Sequence, residues 1–208
     1  ANGCIGNEMT YSIDVYPRPI GSATTPNPIC SEETFIAPLN SNLSITTLYT
    51  WTATNITGTA SGFSDNNTKT SGPISQTLTN TGGINATVRY TVTPYSDLPS
   101  GLFCAGNTFT FDVVVKPIPT VSVTPDLTIC IGNNTTLTAS GASTYSWDSG
   151  QATNQINVSP NNNTTYIVTG TTNGCSNTAS VVVTVDNPTA PTGLACYQIA
   201  TFNPATCL

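Results

Sequence analysis

One segment of the sequence recurs at an offset of 100 residues and constrains the fold more than any other feature. The first copy reads C-I-G-N-E-M-T-Y-S-I-D-V-Y-P-R-P from Cys4, and the second reads C-A-G-N-T-F-T-F-D-V-V-V-K-P-I-P from Cys104. Apolar and polar residues alternate in both copies, which is the period of a half-buried β-strand. Two prolines then end the strand, because proline has no backbone N–H to donate. The repeat therefore predicts successive modules built from β-strands.

The alternating apolar positions predict the inward face of these terminal strands. They are Met9, Tyr11, Ile13 and Val15 in the first copy, and Phe109, Phe111, Val113 and Val115 in the second. A looser third copy follows Cys175, where every second residue from Ala179 to Val185 is apolar and an Asp-Asn-Pro sequence ends the strand. Each copy marks the end of a domain.

The strand copies set the predicted domain boundaries. We interpret residues 1–18 as the last strand of a preceding, truncated domain, and residues 19–117 and 118–187 as two complete domains. Residues 188–208 are interpreted as the start of a short cysteine-containing repeat. The N-terminus lacks the basic and apolar segments of a signal peptide. We therefore expect the chain to be an internal or mature piece of a longer protein.

The residue types indicate an all-β fold. Thr and Val are abundant, turn-forming clusters of Pro, Gly and Asn separate short segments, and no window carries helical periodicity over three turns. Each complete domain has a central Trp (Trp51, Trp147) and a later Tyr (Tyr90, Tyr166). About seven short strands with this arrangement are typical of a β-sandwich whose core holds these aromatic residues. Short, proline-stiffened linkers predict that the sandwiches stand in an extended row.

Seven cysteines, none of them in a C-x-x-C motif, indicate disulfides and not a zinc or redox site. Each complete domain has one cysteine before its second strand and one before its last strand. The predicted pairs are Cys30 with Cys104, Cys130 with Cys175, and Cys196 with Cys207, while Cys4 is expected to be unpaired within this chain. Disulfides imply an oxidising, extracellular compartment. The alternative is a set of buried thiols in a cytosolic protein.

Composition excludes several classes of function. Without histidine the chain can form neither a Ser-His-Asp triad nor an imidazole metal site. A net charge of −6 with four cationic side chains argues against nucleic-acid binding. Apolar runs such as 113–115 and 181–183 are too short for a bilayer span, so direct membrane insertion is not expected. We expect no enzymatic activity and no cofactor.

Carboxylates and tryptophans are the remaining candidate site residues. No D-x-D-x-D calcium loop occurs, and solvated or turn positions are favoured over catalytic ones for the scattered acidic residues. Asp126 and Asp186, next to the linkers, are weak candidates for an interdomain calcium site, and no other metal site is expected. Stacking of Trp51 or Trp147 on a sugar is the alternative to a core position for these rings.

Parts of the chain resemble modules of large secreted Bacteroidetes proteins. Residues 127–185, which contain L-T-I-C-I-G-N-N-T-T-L and Y-S-W-D-S-G, resemble their Ig-like repeats. Residues 19–117, which contain Y-T-W-T-A and V-R-Y-T-V-T-P, resemble their PKD-like repeats. The tail T-G-L-A-C-Y-Q-I-A-T-F-N-P-A-T-C is similar to a short repeat of SprB-type gliding-motility adhesins.

The resemblance implies a function, a location and partners. It implies tandem Ig-like/PKD-like β-sandwiches exported by type 9 secretion to the bacterial cell surface. They would form a non-catalytic stalk segment of a long adhesin, transmitting force and projecting binding regions during gliding or attachment. The alternative is an accessory repeat region or a carbohydrate-binding module of a type 9-secreted enzyme. Expected partners are neighbouring repeats of the same chain, with surface polysaccharide or lateral self-association into filaments as further candidates.

Overall fold

The computed structural model describes residues 9–13, 15–98 and 101–186. Strands, turns and loops account for all of these residues, and no helix occurs among them. No stretch within these ranges has the helical length and hydropathy needed to cross a bilayer. The prediction of an all-β fold is confirmed.

The described residues divide into two compact units. The first comprises residues within 1–79 and 86–115, and the second comprises residues within 80–85 and 116–208. Each unit has its own apolar core. We call the strands up to Lys116 the first module and the strands after it the second module; both are β-sandwiches. The boundaries predicted from the repeat stay predictions.

The first module has more strands than the seven that its sequence suggests. Across its described residues they are β1 (Gly21–Ala23), β2 (Ile29–Cys30), β3 (Thr34–Ala37), β4 (Leu39–Ser41), β5 (Thr47–Thr57), β6 (Ala60–Ser61), β7 (Asn66–Thr70), β8 (Ile74–Thr77), β9 (Thr79–Asn80), β10 (Ala86–Asp97), β11 (Phe103–Ala105) and β12 (Phe109–Lys116). Eight of these twelve strands are only two to four residues long.

The large sheet of the first module has the strand order β2-β12-β10-β5-β7, and β11 also pairs with β10. The central strand β10 is antiparallel to both neighbours, with Tyr90 opposite Phe111 on β12 and opposite Ala53 on β5. Every second residue of β10 is buried, from Ala86 onward, as the period of a half-buried strand requires. The β3–β8 pair covers this face and contributes Phe35 and Ile74 to the core.

The second module contains seven strands among its described residues. They are β13 (Ser122–Thr124), β14 (Leu127–Cys130), β15 (Thr135–Ser140), β16 (Thr144–Trp147), β17 (Gln155–Val158), β18 (Thr164–Thr172) and β19 (Cys175–Asp186). A sheet of order β13-β15-β17 faces a sheet of order β14-β19-β18-β16. Leu137, Trp147, Val168 and Val183 belong to the core between them.

Two features of the second sheet fix the ends of β19. At its start, a two-residue turn of Asn173 and Gly174, both with positive φ (53° and 84°), joins it to β18. Positive φ at both positions is the requirement of the type I′ hairpin, and Asn-Gly is its preferred sequence. At its end, β19 runs parallel to β14, with Cys130 opposite Asp186. The strands of this sheet that come first and last along the chain, β14 and β19, are therefore hydrogen-bonded neighbours that run in the same direction.

The N-terminal segment contains the first copy of the repeated strand. Met9, Tyr11, Ile13 and Val15 are 74% to 88% exposed and lie outside any strand of the described residues. The neighbours that this strand would pair with belong, by the prediction, to a preceding domain. The assignment of residues 1–18 as a terminal strand stays a prediction.

Candidate functional site: the cysteines, carboxylates and exposed edges

The disulfide predicted for the first module does not form. Cys104 carries a free, half-buried thiol, whereas Cys30 is disulfide-bonded. Cys30 is in β2, beside β12, and Cys104 is in β11, opposite Ser96 near the end of β10. These strands are not neighbours. The predicted Cys30–Cys104 pair is wrong, because it was inferred from position along the chain alone.

The pair predicted for the second module is also wrong. Cys130 lies opposite Asp186 at the end of β19, and Cys175 is the first residue of that strand. Eleven residues of extended chain between Cys175 and Asp186 correspond to about 36 Å. The two Cα atoms of a disulfide lie within about 7 Å of each other. Both cysteines are disulfide-bonded, so they belong to two different disulfides.

The predictions for the remaining cysteines lie outside the described residues. This applies to the pair Cys196–Cys207 and to Cys4. They stay predictions.

The two tryptophans differ in burial, but the ring nitrogen of each donates a hydrogen bond to a backbone carbonyl. Trp147 is 3% exposed, and its Nε1 donates to the Thr153 carbonyl at 2.8 Å. Trp51 is half-buried against the first core, and its Nε1 donates to the Ser64 carbonyl at 3.1 Å. An indole fixed by packing and by a backbone hydrogen bond suits a structural position better than a sugar-stacking platform.

The two tyrosines predicted for the cores differ in burial. Tyr90 is fully buried, and this desolvation raises the pKa of its hydroxyl. Tyr166 is half-buried at the margin of the second core. Its pKa is raised by burial first and then by the negative charge of Asp148. Both phenols therefore stay protonated near neutral pH.

Several carboxylates hold the backbone. Glu33 accepts a hydrogen bond from the Cys30 amide at 2.8 Å, and Asp65 accepts one from the Ala53 amide at 2.8 Å. The first bond lies within a turn, where the two residues are three apart in sequence, and the second joins residues that are twelve apart. Both carboxylates therefore accept hydrogen bonds that stabilise the fold.

The two weak calcium candidates are not brought together. Asp126 precedes β14, and Asp186 lies opposite Cys130 at the other end of that strand. Four residues of parallel register place the two carboxylates about 13 Å apart along the sheet. Ligands of one calcium ion lie within about 2.6 Å of it. In the part of the chain that the structure describes, no three His, Cys, Asp or Glu side chains form a group that could hold a metal ion.

One ion pair connects β10 and β12. Arg89 donates from Nε and an Nη to the two oxygens of Asp112, at 2.7 and 2.8 Å, and the two residues are directly opposite in the sheet. The hydrogen bond from Arg89, and then its charge, hold the pKa of the Asp112 carboxyl below its ordinary value. The side chains remain 46% and 35% exposed, so the pair is a surface feature of the sheet.

The edge strand β7 carries a feature that the sequence did not reveal. Its Lys69 places Nζ 4.8 Å from the ring centre of Tyr95 and 4.6 Å from that of Phe103. A lysine on an exposed edge disfavours pairing with a second sheet edge, and its position over two rings adds cation–π attraction. The strands of the second module contain neither Lys nor Arg.

A shallow apolar cleft of about 570 Å³ lies in the first module. Tyr16, Leu43, Ile45 and Leu98 line much of it, together with the carboxylate of Asp97. Asp97 is the one carboxylate among the lining residues, and no cationic side chain accompanies it there.

Residues 27–119 match the family described as the PKD-like domain. The matched range is similar to a PKD-like domain and covers most of the first module. The match extends over the strands from β2 to β12, which include the Tyr90 core and the Arg89–Asp112 pair. No curated protein matches this chain at a significant level.

Solved structures of tandem sandwich modules are similar to this chain over most of its length. The fibronectin(III)-like modules of CbhA from Clostridium thermocellum share 10% identity, with a TM-score of 0.32, and cover 81% of this chain and 95% of theirs. The mouse nectin-like molecule 4 ectodomain shares 15% identity, with a TM-score of 0.29, over 83% of this chain and 65% of its own. A chimeric titin Z1Z2 tandem shares 12% identity, with a TM-score of 0.27, over 81% of this chain and 99% of its own.

Proposed function

We propose that this chain is a non-catalytic structural segment of a long extracellular adhesin of the bacterial cell surface. Its task is to project binding regions and to transmit force during attachment or gliding. The observation that carries the proposal is a PKD-like module followed in the same chain by a second disulfide-bonded sandwich. Tandem modules of this kind are typical of surface or accessory regions of proteins. The resemblance of the tail to a SprB-type repeat favours the gliding adhesins.

The strand arrangement of the second module suits a segment under tension. β14 enters the sheet and β19 leaves it, and the two are parallel neighbours with Leu127 opposite Val183. Pulling the chain at the start of β14 and at the end of β19 moves these strands past each other along their axes. All hydrogen bonds of the pair are then loaded together, and none can open alone. This geometry resists extension more than a pair opened from one end.

The cysteines support an extracellular location. Three of the described cysteines are disulfide-bonded, and disulfides persist in oxidising compartments. Disulfide-bonded PKD-like and Ig-like modules are accordingly typical of extracellular proteins. Type 9 secretion to the cell surface rests on the family resemblance and forms part of the proposal.

The exposed edges suggest the partners. The second module has no cationic side chain on an edge strand such as β16 or β17, so the usual obstacle to edge-to-edge pairing is missing there. We include lateral association of copies in the proposal, next to the neighbouring repeats of the same chain. Surface polysaccharide is a further candidate partner.

A replacement experiment separates a structural task from a binding task. In the full-length protein, residues 19–187 are deleted or replaced by an unrelated tandem of two β-sandwich domains. We expect the deletion to reduce attachment or gliding, because the binding regions lie closer to the cell. The unrelated tandem is expected to restore it, since reach and strength are all that the segment supplies. Surface display of each variant is measured with an antibody to another region.

Three results would contradict the proposal. If the unrelated tandem is displayed normally but does not restore function, the segment recognises a ligand of its own. A glycan-binding assay with Trp51→Ala would then test the carbohydrate-binding alternative. If an antibody against residues 19–187 labels permeabilised cells but not intact ones, the surface location is wrong. Finding that the segment adjoins a catalytic domain would favour the accessory region of a secreted enzyme.

A further inference from the structure

One sheet face of the second module carries mostly hydroxyl side chains. In the sheet of order β14-β19-β18-β16, alternate residues such as Trp147, Val168 and Val181 belong to the core. The residues between them therefore form the opposite, outer face of this sheet. On β16, β18 and β19, every outward residue up to Thr184 is Ser or Thr, apart from the aliphatic pair described below. We call this outer face of the three strands the hydroxyl face.

The register of the strands arranges the hydroxyls in rows. One row comprises Ser146, Thr169 and Thr178, on β16, β18 and β19. In the next row, the hydroxyls of Thr171 and Ser176 hydrogen-bond to each other at 2.8 Å. A hydroxyl that is already bonded within the face loses less when water is removed from it. Covering this face with another surface therefore has a reduced desolvation cost.

Two aliphatic side chains interrupt the rows of hydroxyls. Ile167 lies opposite Ser180, and Val182 lies opposite Thr165 on the same pair of strands, so the two aliphatic residues are diagonal neighbours. Each of them is 44% exposed. An apolar centre surrounded by uncharged polar groups matches the core of a protein interface, which is depleted of charged residues.

Charge is confined to the margin of the hydroxyl face. Asp186 is the only charged residue in the four strands of the sheet, and it is the last residue of β19. Asp148 directly follows β16. The large sheet of the first module differs, because its exposed surface carries the Arg89–Asp112 ion pair. An uncharged outer face is therefore particular to the second module and is not shared by both large sheets.

We propose that the hydroxyl face is the surface through which two copies of this chain associate side by side. A hydroxyl both donates and accepts hydrogen bonds, so an array of hydroxyls is complementary to an identical array related by a twofold axis. A sugar-stacking platform is not offered here, since Tyr145, Trp147 and Tyr166 lie on the core side of the sheet. The inference deepens the lateral association included in the proposed function and rests on it.

Local hydrogen bonds make the strand edges of this module less open to pairing than the hydroxyl face. At β16, the Trp147 amide donates to the Gln151 carbonyl at 2.8 Å, and the Trp147 carbonyl accepts from the Gly150 amide at 2.9 Å. On β17, the Gln155 carbonyl accepts a hydrogen bond from the Thr153 hydroxyl. Although cations are missing from these edges, their own turns occupy part of the backbone that a further strand needs.

The size of the sheet limits the strength of a single contact. Four strands are about 14 Å wide and the stretch from Ser176 to Thr184 is about 26 Å long, which gives roughly 360 Å² on each copy. Two copies would together bury about 700 Å², whereas stable complexes bury about 1,200–2,000 Å². One pair of second modules therefore associates weakly and reversibly. Further contacts of the same kind along a longer chain would strengthen the association through avidity.

Sedimentation equilibrium of the full chain, at concentrations up to about 1 mM, covers the range of weak complexes. We expect the wild-type chain to form reversible dimers toward the upper end of this range. Ile167→Asp places a carboxylate within the contact and should weaken dimerisation by at least about tenfold, because an unpaired charge is costly to desolvate. Asn157→Asp is the matched control. It makes the same charge change at an exposed residue of the other sheet and should dimerise like the wild type.

A second variant and a change of salt sharpen the test. Ser180→Asp, opposite Ile167, should weaken dimerisation in the same way, and urea unfolding followed by tryptophan fluorescence verifies that each variant is folded. Added salt should strengthen the wild-type dimer, because it screens the repulsion between the carboxylates of Asp148 and Asp186 in the two copies. Weakening by salt would show that the copies meet through ion pairs elsewhere, and would overturn the proposal.

The remaining outcomes separate this inference from the proposed function. Unchanged dimerisation of both Ile167→Asp and Ser180→Asp would overturn the assignment of the face. Loss of dimers in Asn157→Asp alone would overturn it in favour of edge pairing through β17, and lateral association itself would stand. A wild-type chain that stays monomeric over the whole range would overturn the inference and lateral association together. The stalk function is decided independently, by the replacement experiment on attachment or gliding.

Discussion

The Tyr90 hydroxyl donates a hydrogen bond of 2.6 Å to the side-chain oxygen of Gln76. Tyr90 belongs to the large sheet of the first module, and Gln76 belongs to β8 of the pair that covers it. The Tyr90 ring stacks on Phe111 at 5.2 Å and tilts toward Phe35 at 5.3 Å. One fully buried side chain therefore connects the two layers of this sandwich by both packing and a hydrogen bond.

Tyr90→Phe keeps the packing and removes the hydrogen bond. We expect the free energy of unfolding of the first module to fall by about 1 kcal/mol, the usual net value of such a bond. The loss should be limited, because the Gln76 oxygen still accepts from the Ser64 amide. Urea unfolding at neutral pH measures it. Tyr16→Phe, on an exposed tyrosine, is the control and should change nothing; an equal loss in both variants would contradict the prediction.

The same hydroxyl predicts a pH dependence on the alkaline side. Burial raises the pKa of Tyr90 in the folded protein above that of the unfolded chain. The unfolded chain therefore releases this proton first, and the stability that Tyr90 contributes is lost as the pH rises above about 10. In Tyr90→Phe the free energy of unfolding should decline less steeply over this range. An identical decline in both proteins would show that Tyr90 does not titrate differently on unfolding.

The Arg89–Asp112 pair predicts an effect on the acidic side. The hydrogen bond from Arg89 lowers the pKa of the Asp112 carboxyl in the folded protein. The stabilisation by this pair is therefore present above the ordinary aspartate pKa and is lost as the pH falls below about 4. Because both side chains are well exposed, the effect should be small. Asp112→Asn should show a flatter acid dependence in urea unfolding, and added salt should reduce the difference. A steeper dependence in the variant would contradict the assignment.

Leu137 tests the core of the second module. It is fully buried on β15, and Leu137→Ala should lower the free energy of unfolding by about 2–5 kcal/mol through lost burial and a cavity. In a Trp51→Phe background, Trp147 is the remaining tryptophan and reports on this module by fluorescence. Ile131→Ala, at a residue 43% exposed, should cost less than about 0.5 kcal/mol. Comparable losses at the two positions would contradict the core assignment.

The alternating residues of the terminal strands could be predicted from sequence, and the disulfides could not. Phe111, Val113 and Val115 are buried as the period of two requires, and so are Val181 and Val183, because local alternation decides which face of a strand is apolar. The cysteine pairs depend instead on which end of β19 lies beside β14. That follows from a parallel register between strands far apart in sequence, and spacing along the chain carries no information about it.

One further feature of the candidate site could have been predicted from the sequence but was missed, and another has no sequence signal. The Asn173-Gly174 turn before β19 carries the dipeptide typical of a two-residue hairpin, and it would have located Cys175 at the hairpin tip. The position of Lys69 over two aromatic rings had no such signal. It depends on β7 and β11 meeting on the same side of the sheet, which composition does not reveal.

Single-molecule stretching of the whole chain, held at its two ends, tests most directly whether it consists of separately folded modules that bear tension. In the presence of a reductant, the account predicts two separate unfolding events. Residues 19–117 and 118–187 have contour lengths of about 36 nm and about 25 nm at about 3.6 Å per residue, and each event should release this length less the end-to-end length of the folded module. One event that releases the sum of both lengths, or smooth extension without any event, would contradict it.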